Sequence, residues 1–143
     1  MANDTSTSLD RYNRAKLRID TNKTLAAADS GVVQMVAADG ITLTLPASAS
    51  IGAGFTVVVE NNGVAKTGGT TGSGDDASAG ITIAMASGDG ITGAGFTAAI
   101  NKGAVNTKAT AKVGDKIVLV ASGANTAAAW NAQEVKGTWA RQA

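Results

Sequence analysis

Histidine and cysteine are both absent from this 143-residue chain. Without imidazole, no side chain titrates unaided near neutrality. Without thiolate there is no sulfur nucleophile, and without either the usual ligands of a zinc site are missing. The lack of cysteine also excludes a disulfide framework. Proline occurs once and aromatic residues make up 3% of the chain. Charge of one sign is scarce too: the formal net charge is +1 and the sequence pI about 8.0, too little to steer nucleic acid or an anionic membrane surface. No apolar run approaches the roughly 18–20 residues of a membrane span, and Met1-Ala2-Asn3-Asp4-Thr5-Ser6 does not read as a secretory signal. From these absences we expect a soluble protein made in a cytoplasm, not an enzyme, with no catalytic, cofactor-binding or metal-binding residues and with neither nucleic acid nor membrane as partner.

What the chain does have is glycine, 18 of them, and a hydrophobic fraction of 44% that is largely alanine. Alanine buries little area at roughly 25 cal/mol per Å², and glycine loses more backbone entropy than other residues on folding. The length suits one domain, but its core material is thin, so packing against neighbours, as in a homo-oligomer, is expected to add stability.

The chain also nearly repeats itself. Gly40-Ile41-Thr42-Leu43-Thr44-Leu45, Ile51 and Gly52-Ala53-Gly54-Phe55-Thr56 recur as Gly80-Ile81-Thr82-Ile83-Ala84-Met85, Ile91 and Gly93-Ala94-Gly95-Phe96-Thr97. Each copy reads as an alternating strand, a small-residue turn, a glycine-flanked phenylalanine and a second strand. Ile41, Leu43 and Leu45 share one face, Pro46 ends that strand, and Phe55, Val57 and Val59 form the next buried row. In the second copy the corresponding rows are Ile81, Ile83 and Met85, then Phe96, Ala98 and Ile100. This copy is leaner and is expected near an edge or a subunit contact.

Val32 to Val36, a polar strand at 104–111, Ile117 to Val120 and Trp130 to Val135 complete the strand candidates, with an Asp39-Gly40 turn after the first. Lys66 to Gly80 reads as an exposed loop. Trp130 and Trp139 are expected to cap the core where the last hairpin closes. The expected fold is all-β, an antiparallel jelly-roll or β-sandwich-like domain over residues 25–143, preceded by an extended N-terminal arm over residues 1–24. Two readings of the arm stay open. Either Leu9, Tyr12 and Leu17 anchor on a partner while Arg11, Arg14, Lys16 and Arg18 meet carboxylates, or the stretch is a frayed, solvated terminus.

Gly88-Asp89-Gly90-Ile91-Thr92-Gly93 satisfies the dinucleotide-binding spacing, but that motif needs a helix behind it and here a strand is expected. Asp75, Asp76, Asp89 and Asp115 lie in glycine-rich turns, where aspartate ordinarily bonds local backbone amides. No EF-hand-like loop gathers the six to eight oxygens that calcium takes.

Thr24-Leu25-Ala26-Ala27-Ala28-Asp29-Ser30-Gly31, a strand, and Ile41 to Pro46 resemble a pattern of tailed-bacteriophage virion proteins. So does the late run Gly114-Asp115-Lys116-Ile117-Val118-Leu119-Val120 leading to Trp130 and then Gly137-Thr138-Trp139. The resemblance spans about residues 24 to 140. The Ala124-Asn125-Thr126-Ala127-Ala128-Ala129 insertion before Trp130 departs from the tail-fibre version, and the short chain with an arm is similar to the cement, or decoration, proteins of phage heads. What the resemblance implies is a virion protein on the outer capsid surface, made in the host bacterial cytoplasm. It would act as a dimer or trimer bridging neighbouring major capsid subunits, with Leu9, Arg11, Tyr12, Arg14 and Leu17 as arm contacts. A tail, baseplate or fibre-associated β module contacting a host-surface glycan is the alternative. A small carbohydrate-binding domain, resting on Tyr12, Trp130 and Trp139, is a third class.

Overall fold

The computed structural model describes residues 7–9, 15–63 and 79–143, the first of these stretches as backbone alone. Twelve strands lie among them: β1 (Thr7–Leu9), β2 (Ala15–Ile19), β3 (Lys23–Thr24), β4 (Val33–Val36), β5 (Ile41–Thr44), β6 (Thr56–Asn61), β7 (Ile81–Ala84), β8 (Ile91–Thr92), β9 (Ala104–Asn106), β10 (Lys116–Ala121), β11 (Trp130–Lys136) and β12 (Ala140–Arg141). One short helix, α1 (Ser48–Ile51), and a 3-10 turn at Ala27–Asp29 complete the described elements. The strands form a seven-stranded sheet, β1-β2-β4-β6-β10-β11-β8, and a five-stranded sheet, β12-β9-β7-β5-β3.

The all-β expectation holds, but its antiparallel part is corrected: five of the ten strand pairings are parallel. From β2 to β7 the chain alternates between the sheets. β2, β4 and β6 stack in parallel in one sheet, while β3, β5 and β7 stack in parallel in the other. The connection that a parallel pair requires therefore runs through the opposite sheet. The expected turn at Asp39-Gly40 is a corner from one sheet to the other. It is tied to the corner one coil on: the Gly40 amide donates to the Gly80 carbonyl at 3.0 Å, and the Gly80 amide donates to Asp39 Oδ1 at 2.7 Å. Beyond the antiparallel β1–β2 pair at the start, antiparallel pairing returns in the C-terminal half, where β10 and β9 fold back on β6 and β7.

The sequence repeat is thus a physical stack. Ile41 lies opposite Ile81, Thr42 opposite Thr82 and Leu43 opposite Ile83. The second copy is expected near an edge or a subunit contact; the edge part is corrected, since β7 is the middle strand of its sheet, with Ile81 and Ile83 buried. Its later row does not form: Phe96 is half-buried, Ala98 is exposed and Ile100 is 57% exposed, and none of the three lies in a strand. The polar strand expected over 104–111 shortens to β9.

Alternate residues of both sheets point into one core. It includes Val57, Val59, Ile117 and Leu119 from one sheet and Ile41, Leu43, Ile81 and Ile83 from the other. Trp130 is wholly buried there and meets Phe55 edge-on, ring centroids 6.1 Å apart at 86°. On the opposite face of the larger sheet, Val33, Val58 and Val118 form a small second cluster in one cross-strand row, which ends in Lys16 and Glu134. The ion pairs Lys16–Glu60 (3.5 Å) and Lys116–Glu134 (3.1 Å) stand beside that row.

Candidate functional site

The stretch expected as an arm, 1–24, contributes β1 and β2 to the larger sheet and β3 to the smaller one. Of the arm contacts, Leu17 lies in β2 opposite Thr7 and Gln34, half-buried against the core. Leu9 is at the end of β1, opposite Ala15. Arg11, Tyr12 and Arg14 lie outside the described residues, as do Asp75, Asp76 and the 66–78 part of the expected loop. Ile19, two positions after Leu17, is buried in the shared core.

The glycine motif serves backbone packing. β8 follows it, not a helix. A Cβ on Gly90 would stand 2.2 Å from the Ala99 carbonyl oxygen and 2.5 Å from that of Ala127, so glycine is required there by close approach of two chain segments. Asp89 does not serve a local turn, contrary to expectation. Its buried carboxylate accepts the Ser48 amide at 2.8 Å, Asn125 Nδ2 at 3.2 Å and the Trp130 indole at 3.4 Å. Asp115 does bond locally, to the Lys112 amide at 3.0 Å, and also accepts Asn106 Nδ2 at 2.9 Å. Asn106 Oδ1 in turn accepts Asn61 Nδ2 at 2.7 Å, which joins β9 of one sheet to β6 of the other through a buried polar chain.

Other carboxylates are paired at the surface: Asp29 with Lys23 at 2.6 Å and Asp39 with Lys108 at 2.6 Å. The Lys108 ammonium and the Gly80 amide hold the Asp39 carboxyl below its ordinary range. No group of three or more acidic, histidine or cysteine side chains that could hold a metal ion occurs among the described residues, and no helix among them is long and apolar enough to cross a membrane.

One open cleft of about 310 Å³ lies between the Gly93–Phe96 turn and the C-terminal strand β12, lined by Phe96, Thr97, Trp139, Arg141 and Gln142 among others. The turn closes through the Phe96 amide on the Gly93 carbonyl at 2.9 Å, with φ of +47° at Ala94 and +89° at Gly95. Positive φ at both central residues is the twist of a type I′ turn. Arg141 of β12 donates through Nη1 to the Thr97 carbonyl at 3.1 Å. Gln142 pairs with Gly103, donating its amide at 3.0 Å and accepting the Gly103 amide on Oε1 at 2.7 Å. Trp139 Nε1 is buried with no acceptor among the described residues. Trp139 is expected from the sequence to cap the core. Its half-burial against the core fits that, but Phe96 lies 43 positions earlier and only the fold brings the two to one cleft.

No protein-family model matches the chain, and no curated protein does.

Proposed function

We propose that this chain is a structural virion protein that binds the outer surface of an icosahedral phage capsid and cements neighbouring major capsid subunits. The reading rests on the resemblance of the Thr24 to Pro46 and Gly114 to Trp139 segments to phage virion proteins, with a β-sandwich or jelly-roll domain as the finer architecture. The observation that carries it is the employment of the polar side chains. Asp89, Asp115, Asn61 and Asn106 are occupied inside in joining strands, and Asp29, Asp39, Glu60 and Glu134 are ion-paired. These described residues are committed to holding the fold, which favours a role through surface contact. A ligand that binds only the assembled lattice stabilises it by mass action, and several weak contacts from one dimer or trimer add through effective concentration.

Because Ile19 of β2 is a core residue, the arm is tested by side-chain replacement and not by deletion. Arg11→Ala, Tyr12→Ala and Arg14→Ala together are expected to lower occupancy on purified expanded heads while circular dichroism stays unchanged. Full occupancy would remove the arm from the mechanism.

A second reading, a tail, baseplate or fibre-associated module, draws on the parallel stacking of β2–β4–β6 and β3–β5–β7, since stacked coils extend readily into a shaft. Labelling the protein in virions separates the two: copies spread over the head support the cement reading, and label confined to the tail overturns it.

A further inference from the structure

The cleft between the Gly93–Phe96 turn and β12 has features that neither the sheet architecture nor a capsid contact requires. Its volume, about 310 Å³, suits one ring-sized ligand. Phe96 and Trp139 supply two aromatic surfaces among its lining. Such surfaces pack against the C–H face of a sugar ring while the ring's hydroxyls reach polar neighbours.

Donors predominate among the polar side chains of the cleft, although the Thr97 hydroxyl both donates and accepts and Ala143, whose oxygen accepts from Lys102, also lines it. The Trp139 indole N–H is buried and unpartnered. The Arg141 guanidinium uses Nη1 on the Thr97 carbonyl, and its other N–H groups have no partner assigned among the described residues. Gln142 Oε1 is taken by the Gly103 amide, which leaves the side-chain NH₂ as its remaining polar group. A guanidinium with N–H groups to spare selects a carboxylate, which it can hold in a forked pair.

The cleft wall is strained as well. Gly-Ala-Gly-Phe occurs twice in the chain, and only the copy that borders the cleft places its alanine, Ala94, at positive φ. Backbone strain of this kind persists where the surroundings over-determine it, and it gathers at ligand sites.

We propose that this cleft binds an acidic saccharide, a single uronate-type ring, with its C–H face against Phe96 and Trp139 and its carboxylate on Arg141. The inference stands apart from the capsid reading, and its failure would leave that reading as it is.

The chain has two tryptophans, so a ¹H–¹⁵N spectrum shows two indole resonances. Trp130, wholly buried and bonded to Asp89, is the internal control. Titration with D-glucuronate is expected to shift the Trp139 indole saturably in the millimolar range, with Trp130 unmoved, and D-glucose or acetate to bind at least about tenfold more weakly. Arg141→Gln is expected to weaken glucuronate about tenfold while leaving the weak response to glucose unchanged. Trp139→Phe, read from the Thr97 amide, is expected to weaken glucuronate as well, with spectral dispersion reporting that both variants fold. No saturable shift at about 100 mM glucuronate, an equal response to glucose, or an equal response to acetate would each overturn the proposal.

Discussion

The carboxylate of Asp89 caps the first turn of α1 from 41 residues away, its Oδ2 accepting the Ser48 amide at 2.8 Å with both residues fully buried. The opening amides of a helix have no partner within it, and no side chain of the cap residue Ala47 supplies one. The same oxygen receives the Trp130 indole, and Ser48 Oγ donates to the Ala129 carbonyl at 3.1 Å while accepting the Gly123 amide at 2.9 Å. One carboxylate and one hydroxyl therefore tie the helix, the β8 corner and the start of β11 into a single knot.

Removing that acceptor strands buried donors. Asp89→Ala is expected to cost about 3 kcal/mol, and Asp89→Asn about 1 kcal/mol, because an amide oxygen still serves Ser48 and Trp130 and only the Asn125 contact is lost, NH₂ meeting NH₂. Urea midpoints at constant m-value measure both. Equal costs for the two variants would mean that the charge, and not the acceptor, is what the knot needs.

How much of this was legible in the sequence depends on which property is asked for. Ile41, Leu43 and Leu45, and Phe55, Val57 and Val59, announce buried strand faces by alternation alone, and all six are buried. Alternation has the same period whether the neighbour runs parallel or antiparallel, so the partner of β5 was not readable, and Asp39-Gly40 makes an inter-sheet corner as readily as a hairpin. The row Phe96, Ala98 and Ile100 does not form: the Ala94-Gly95 turn brings Phe96 back onto Gly93, and pairing stops after that single bridge. Asp89 and the cleft were hidden for a further reason: Ser48 and Trp130 lie 41 positions to either side of Asp89, and no local pattern encodes that contact.

The two copies of Gly-Ala-Gly-Phe make a paired test. Ala94 has φ of +47°, a conformation costing an L-residue roughly 1–2 kcal/mol, so Ala94→Gly is expected to stabilise by up to about 1 kcal/mol after the added glycine entropy. Ala53 is not among the positive-φ residues, so Ala53→Gly brings only the entropy term and is expected to destabilise by roughly 0.5–1 kcal/mol. Identical substitutions in identical tetrapeptides should therefore move the melting temperature in opposite directions. Shifts of the same sign would mean that the two turns share one conformation.

The Asp39–Lys108 pair sets a pH dependence whose sign follows from the lowered carboxyl pKa. A carboxyl with a folded-state pKa below its unfolded value, about 3.9, stabilises fully above the unfolded value and loses that contribution as pH falls through the folded one. The pair is half exposed, 52% for Lys108 and 44% for Asp39, so screening keeps the effect small. Asp39→Asn should lower the melting temperature slightly at neutral pH, and the difference from the parent should vanish in strong acid. A difference that persists there would assign the effect to the Gly80 hydrogen bond and not to charge.

Asn61 and Asn106 join the two sheets inside the core, and their effects should not add. Asn61 Nδ2 donates to Asn106 Oδ1 at 2.7 Å and to the Ala79 carbonyl at 2.9 Å, while Asn106 Nδ2 donates to Asp115 Oδ2 at 2.9 Å and to the Thr138 carbonyl at 2.8 Å. Truncating either asparagine leaves the other with an unmet buried group, so each single alanine variant is expected to cost about 2–3 kcal/mol. In the double variant the mutual penalty is removed, and its cost should fall short of the sum by about 1 kcal/mol or more, as contacting members of one polar network do. Denaturant unfolding of the four proteins closes the cycle. Simple additivity would mean that the sheets are held by their apolar rows alone, with the asparagines serving only their own strands.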